Sequence, residues 1–393
     1  MPISRRDFVT SVAVSSASVG LTSKVLGAQQ VKRAAKLPIV VCSEYSYNWI
    51  DDGYKLLAGG ADTLDAAIQV VKGPEDDPNY QNVGLGGRPN EEGVVELDAC
   101  CMHGPTRTAG AVGGVRNIKN VSLLANAVRL HTGHVMLVGE GAERFAVAQG
   151  FPRENLLTEK SRKDWLLWKE THSDWWGPGL ASPDWRRRFR APAHADEWQE
   201  RFRRMEETAG EIGIPPEDRM ESIRSVIYPP TGTTHCSALN EKGEISGCTT
   251  TSGLAWKIPG RLGDSPIIGA GCYTDQDVGS AGAIGSGEEN IKVAGGHTIV
   301  ENMRRGMSPL EAGMDAIKRI VRNYNGDKER LQFVDMVYYI LRKDGAYAGV
   351  SLWEGYAADH HHMIAVHDGT KRLEKTANLF EGPSQDWPPT RLK

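Results

Sequence analysis

Hydrophobic positions along this chain recur in two rhythms. Leu37 to Cys42 is a short apolar run of strand length. From Thr63, the positions Leu64, Ala67, Ile68 and Val71 repeat at helical spacing and stop at Gly73. Val94 to Met102 reads as a strand, and so does the Gly-rich run Ala109 to Val115. Val121, Leu124, Ala125 and Val128 then mark a second amphipathic helix that ends near Gly133, followed by a strand from Val135 to Val138.

The rhythm breaks between about residues 160 and 223. Six of the ten tryptophans lie between Trp165 and Trp198, with Arg186-Arg187-Arg188, Arg190, Arg201, Arg203 and Arg204 among or just beyond them. This predicts an irregular Trp/Arg-rich surface excursion between two halves of one domain. Beyond it, Thr233 to Leu239 and Glu244 to Thr250 form a hairpin across Asn240-Glu241-Lys242-Gly243. Ser308-Pro309-Leu310-Glu311 is a capping box, opening a helix whose buried face is Leu310, Met314, Ile317 and Val321. Val334 to Leu341 and Ala346 to Leu352 make a second hairpin at Asp344-Gly345. Strand pairs followed by helices in both halves predict packed sheets with helices outside.

Composition narrows the function. With 46 Lys+Arg against 50 Asp+Glu, no broad basic field exists to favour nucleic acid as a partner. No second long apolar run follows the N-terminus, so no stable membrane span is expected. The N-terminus itself carries Ser4-Arg5-Arg6-Asp7-Phe8-Val9, a weakly apolar stretch to Leu21, and small residues at Gly27-Ala28. Residues 1–28 therefore read as a twin-arginine export signal, either removed or kept as an anchor, and imply a periplasmic or secreted protein. The six cysteines show no zinc spacing and read as buried inert thiols.

Candidate chemistry concentrates between Thr231 and Glu289. Gly84-Leu85-Gly86-Gly87 fails the dinucleotide pattern and reads as a tight turn. Hairpin pairing instead brings Thr249-Thr250-Thr251-Ser252-Gly253 back beside Thr233. In the loop Gly260-Arg261-Leu262-Gly263-Asp264-Ser265-Pro266, Arg261 and Asp264 offer a cation and an anion for the carboxylate and ammonium of an amino acid. Read from pattern alone, strand-surface hydroxyls and a surface ion pair are the plainer account. Glu288-Glu289 fit a helix N-terminus. His360-His361-His362 reads as a polar loop or strand edge, not a shared metal site, because neighbouring histidines on a strand point to opposite faces. No metal or cofactor is expected.

These segments together resemble the glycosylasparaginases, a family of N-terminal-nucleophile hydrolases related to plant-type asparaginases and isoaspartyl peptidases. The likeness runs over nearly all of the chain after the export segment. It includes Leu37-Pro38-Ile39-Val40, Gly84 through Ala99, Gly110-Ala111-Val112-Gly113, Ala365-Val366-His367-Asp368 and, above all, Thr249 through Gly271. The resemblance implies an α+β, four-layer αββα sandwich with two antiparallel sheets between helical layers. It implies a precursor cut between Gly232 and Thr233 into an α chain (29–232) and a β chain (233–393), paired as a dimer of heterodimers. Freed Thr233 would then be nucleophile and base at once, its own α-amine, of reference pKa ~7.7–8.0, taking the proton. Thr251 would orient it, Arg261 and Asp264 would hold an asparagine-like substrate, and Ile284-Gly285 would stand at the oxyanion hole. The substrate would be a glycosylated asparagine or another β-aspartyl amide.

Three positions depart from the family pattern. Thr231-Gly232 replaces His-Asp before the nucleophile, which is closer to the isoaspartyl peptidases. Glu44 falls where an aromatic Trp is usual, with Trp49 nearby. Ile284 replaces an oxyanion-hole threonine, so Ser286 or a backbone amide must substitute if turnover is fast. The alternatives are thus an isoaspartyl peptidase or asparaginase, or a catalytically impaired exported binding protein.

Overall fold

The structure is a computed structural model that describes residues 36–172, 179–185 and 195–385. The export segment expected at 1–28 and the Arg186-Arg187-Arg188 cluster lie outside the described residues. Strands are numbered in chain order. The first sheet holds β1 (Ile39–Ser43), β2 (Leu97–His103), β3 (Thr108–Val115), β4 (Met136–Val138), β5 (Thr231–Leu239), β6 (Ile245–Leu254), β11 (Met363–His367) and β12 (Lys371–Lys375). Its order is β12-β11-β1-β5-β6-β2-β3-β4. The second sheet, of β7 (Cys272–Asp275), β8 (Gly279–Gly285), β9 (Met336–Arg342), β10 (Tyr347–Gly355) and β13 (Ala377–Pro383), runs β13-β10-β9-β8-β7.

Alternation along single strands reveals the layers. On β9, Val337, Tyr339 and Leu341 enter the core between the sheets, while Met336, Tyr338 and Ile340 enter another core under the helices. On β1, Ile39 and Val41 face the other sheet, while Val40 and Cys42 face helices. Successive side chains point to opposite faces, so a strand apolar at every position is buried on both. Helices α1 (Ile50–Ala58), α2 (Thr63–Asp76), α3 (Val121–His131) and α4 (Gly139–Ala148) cover the outer face of the first sheet. Helices α8 (Gly287–Val293), α9 (Gly295–Arg304), α10 (Pro309–Asn323) and α11 (Lys328–Leu331) lie on the second. The result is the expected αββα sandwich.

Two details refine that expectation. Each sheet is antiparallel except for one pair at an edge, β3–β4 and β10–β13, which run parallel. Both pairs are joined by long crossovers, which parallel neighbours require. The Ser308 capping box forms as expected at the start of α10.

The excursion is not irregular. It folds into α5 (Glu159–His172), α6 (Ala195–Glu211) and α7 (Pro216–Ile227). Phe202, Met205, Ala209 and Ile212 supply a thin helical stripe within a charged sequence. That stripe closes on a core with Leu167, Trp168, Ile223 and Trp256. Trp168 stacks on Trp256 with ring centroids 5.8 Å apart, and the Trp256 indole N–H donates to the Ser225 carbonyl. Trp168→Ala is expected to open a cavity there and cost about 3–5 kcal/mol of folding free energy. The denaturation midpoint of the purified variant measures it. No helix among the described residues is long and apolar enough to cross a membrane.

Candidate active site

Paired strands β5 and β6 bring the site together. Thr233 sits opposite Thr251, and the next partners toward the strand start are Gly232 and Gly253, so the register slips by one residue at Ser252. A bulge of this kind re-aims side chains. Ser252 turns its N–H and hydroxyl to the Asn82 carbonyl, 3.0 and 2.8 Å away. Strand alternation sorts the threonines: Thr250 faces the helices, donating to buried Glu75, while Thr249 faces inward and bonds the His235 ring. Thr251 shares Thr249's face. All three are buried rather than displayed on a surface.

The central feature is a short hydrogen-bond relay. Thr233 Oγ1 donates to Thr251 Oγ1 at 3.0 Å. Thr251 Oγ1 in turn donates to the carbonyl oxygen of Gly232. The Gly253 N–H donates to Thr251 Oγ1 at 2.8 Å and holds that hydroxyl in place. One hydroxyl therefore accepts the proton of the expected nucleophile and polarises the carbonyl next to it.

Glycine at 232 has a spatial reason. A β-carbon there would lie 2.4 Å from both Cα and the carbonyl oxygen of Asn82, with the residue outside the left-handed φ region. Close approach of Asn82, not an unusual backbone angle, demands glycine there. Gly232→Ala is expected to push the peptide off Thr251 at a cost of about 1–3 kcal/mol. The denaturation midpoint of the purified variant measures that cost.

Arg261 and Asp264 do not pair with each other. Arg261 makes two parallel bonds to Glu288, Nε to Oε1 at 2.8 Å and Nη2 to Oε2 at 2.7 Å. Burial pushes Glu288 upward, but the guanidinium overrides it and holds the carboxyl below its usual range. Arg261 reaches the relay, since a β-carbon on Gly253 would stand 3.5 Å from its Nη1. Asp264 accepts from Asn290 Nδ2 at 2.6 Å, and Asn290 accepts from the Tyr338 hydroxyl. Burial pushes the Asp264 carboxyl up to about 6. Gly287, next to Ser286, leaves room for it: a β-carbon there would meet Asp264 Oδ1 at 2.7 Å.

On β8, Gly285 has φ +114° and faces the Asp335 carbonyl so closely that a β-carbon would lie 2.1 Å from it. Ile284 packs into the apolar core between the sheets with Val337 and Tyr339, so its side chain supplies no hydrogen-bond donor. Ser286 does. Its hydroxyl accepts from the Asp335 N–H at 3.1 Å, which leaves its own proton free to donate.

A cavity of about 980 Å³ is lined by Thr231, Asn82, Arg261 and Ser286, next to the relay, while Thr233, Thr251 and Asp264 are not among its lining residues. Trp168, Arg201 and Tyr356 also line it, so the excursion helices form part of the pocket. Sequence reasoning passed over Asn82 and Lys257. Buried Lys257 donates to the Glu96 and Ser252 carbonyls and lies 3.9 Å from buried Asp98, which pairs with Thr251 across the strands. Its position between Trp256 and Arg261 was the available signal. Trp49 does not replace the usual tryptophan, because its ring packs over Gly73 of α2. Tyr45 lines the cavity instead. Glu44 faces His360 and His362, while His361 faces Glu354; the three histidines lie in a loop, as expected.

Comparison with known proteins agrees with this geometry. The family model described as asparaginase matches residues 25–329. The chain is 34% identical over 369 residues to an N(4)-(beta-N-acetylglucosaminyl)-L-asparaginase of Elizabethkingia miricola, covering 93% of this chain and 92% of that one. It is 35% identical over 303 residues to the protein of that name from Rattus norvegicus, covering 76% and 82%. A probable isoaspartyl peptidase/L-asparaginase 3 of Arabidopsis thaliana is 29% identical over 328 residues, covering 81% and 86%.

Proposed function

The chain belongs to the asparaginase family of amide hydrolases, and from that premise we propose that it cuts itself between Gly232 and Thr233 and then hydrolyses glycosylated asparagine. The observation that carries this reading is the relay from Thr233 through Thr251 to the Gly232 carbonyl. Thr233 Oγ1 attacks the Gly232 carbonyl carbon, its proton passing to Thr251 as the Thr251 hydroxyl hands its own to the carbonyl oxygen. Thr251 stabilises the developing oxyanion. The C–N bond breaks, the Thr233 amine takes up a proton, and the resulting ester is hydrolysed to leave a Gly232 carboxylate. The products are chains 29–232 and 233–393.

In the second reaction the freed amine takes the proton from its own hydroxyl, which attacks the side-chain amide of the substrate; the amine then returns that proton to the amide nitrogen, the C–N bond breaks and the substrate's amine leaves. Arg261 exchanges Glu288 for the substrate α-carboxylate, and Asp264 takes the α-ammonium. Water releases aspartate from the β-aspartyl ester. A cavity of about 980 Å³ exceeds what asparagine alone needs and supports a bulky leaving group such as an N-acetylglucosaminyl amine. Gly232 is accounted for by Asn82, so it lends no separate support to an isoaspartyl peptidase.

Two measurements test the proposal. Mass spectrometry must find a fragment beginning at Thr233. Aspartate release must be faster from N-acetylglucosaminyl-asparagine than from a β-aspartyl dipeptide or asparagine; the reverse order would transfer the protein to the isoaspartyl peptidase/asparaginase class. Cleavage without turnover of any of the three would make it a binding protein. Ser286 is assigned the oxyanion contact that Ile284 lacks. Ser286→Ala is expected to lower kcat by about 10²–10³ with KM little changed, as steady-state kinetics on the processed variant will report. The export segment supports delivery outside the cytoplasm, and fractionation of cells tests it.

A further inference from the structure

One strand over from the relay, the end of β1 meets the loop between β10 and β11. Glu44 there faces His360 and His362, and one donor atom from each lies within 4.8 Å of the others. Glu44 Oε2 is 3.4 Å from His360 Nε2, and Glu44 Oε1 is 3.9 Å from His362 Nδ1. Both separations are too long for good hydrogen bonds, which run ~2.7–3.2 Å. They suit the edges of a tetrahedron around one ion with bonds of ~2.0–2.1 Å, which span about 3.3 Å.

Two of these atoms make no hydrogen bond. His362 Nδ1 and Glu44 Oε1 are buried without a hydrogen-bond partner, and the His362 side chain is 1% exposed. Buried polar atoms without partners are rare. The other nitrogen of His362 is engaged by Asp335 Oδ1 at 3.0 Å, an arrangement that fixes the ring and turns Nδ1 toward Glu44. A carboxylate behind a histidine is the usual support of a metal-binding imidazole. Tyr356 stacks on the His360 ring, centroids 3.8 Å apart, and sets its plane.

We propose that Glu44, His360 and His362 bind one zinc ion, with Asp335 supporting His362 from behind. Two neutral imidazoles and a carboxylate match the ligand preference of zinc, and a water completes the tetrahedron. With Asp335 included, two carboxylates balance the dication, so the buried site carries no net charge. The ion ties residue 44 to residues 360 and 362, which lie on opposite sides of the Gly232–Thr233 bond. All six cysteines are free, so in a cleaved molecule this bridge would be a coordinate link between the chains. The binding site itself does not depend on cleavage. Through Asp335, whose N–H and carbonyl both bond Ser286, it also braces the catalytic wall.

The test uses full-length protein without a histidine tag, stripped with chelator and titrated with Zn²⁺ by calorimetry and with Co²⁺ by visible absorption. One equivalent of each is expected, with Co²⁺ bands of tetrahedral intensity. Asp335→Asn should weaken zinc about 10–100-fold, and His360→Asn/His362→Asn should abolish the bands. Absence of zinc binding, or Co²⁺ bands unchanged in the double variant, overturns the site and leaves a clasp of protonated histidines between two carboxylates. Should the variants not fold, the wild-type spectrum decides: an absorption like that of aqueous Co²⁺ overturns the proposal. These outcomes are independent of whether the chain is cut at Thr233.

Discussion

Thr233→Ala is expected to leave the chain in one piece and abolish amide hydrolysis. The same hydroxyl would perform both reactions, and its removal deletes the attacking atom, not a supporting contact. Loss of a nucleophile costs about 10⁴-fold or more in rate, even when the rest of the site is intact. Since Thr233 is buried and its hydroxyl bonds only within the relay, the variant should fold. Intact mass gives the uncut chain, and aspartate release gives background. Thr233→Ser is the informative companion: it keeps the oxygen, so slow cleavage and slow turnover should both survive. A wild-type preparation that is active yet has no fragment starting at residue 233 would remove the basis of the mechanism.

Arg261→Ala is expected to reduce kcat/KM by roughly 10²–10⁴-fold, the 3–5 kcal/mol typical of breaking a buried paired charge. Arg261→Lys should not restore it, because the planar fork that now holds both oxygens of Glu288 is what would hold a carboxylate. Asp264 adds a pH signature. Its burial disfavours the ion and raises the carboxyl to about 6, with Asn290 pulling the other way. If the anion holds the substrate ammonium as proposed, binding is lost as pH falls through about 6 and complete above it. Initial rates at low substrate should therefore decline on the acid side near pH 6. Asp264→Asn should remove that limb along with most of the activity. For folding the sign is opposite. A carboxyl raised above its unfolded pKa favours the folded chain most at low pH, and that contribution is lost as pH rises through about 6. The fold thus holds an ion that burial resists, in a place where a substrate cation would relieve it.

Much of this was legible in one dimension. Thr231 to Leu239 and Ile245 to Leu254 pair through a hairpin whose turn residues are visible, so the return of the Thr249–Gly253 run beside Thr233 followed from the sequence, while the register chose Thr251. The family likeness pointed to Arg261, Asp264 and Gly285 for the same reason: they sit in one short continuous segment or at a strand end. The excursion was misread because its apolar stripe is thin. Phe202, Met205, Ala209 and Ile212 keep helical spacing, but charged neighbours hide it until Trp256, more than forty residues on, closes the core.

Other residues carried no local sign. Asn82 decides that position 232 must be glycine, yet the two are joined only by the tertiary fold. Glu288 answers Arg261, Asn290 answers Asp264, and Ser286 lies where Ile284 leaves no donor. Glu44 and His362 meet across more than three hundred residues.

The amino-acid sequence determined the strands, the helices outside the excursion and the return of the Thr249–Gly253 run beside Thr233, because periodicity and a hairpin are short-range properties. Only the tertiary structure decided who polarises the Gly232 carbonyl, which anion meets Arg261 and what faces Glu44. Those contacts are made by packing two sheets and their helices face to face. The free energy of that packing comes from apolar burial, which has no direction along the chain and so leaves no spacing to read.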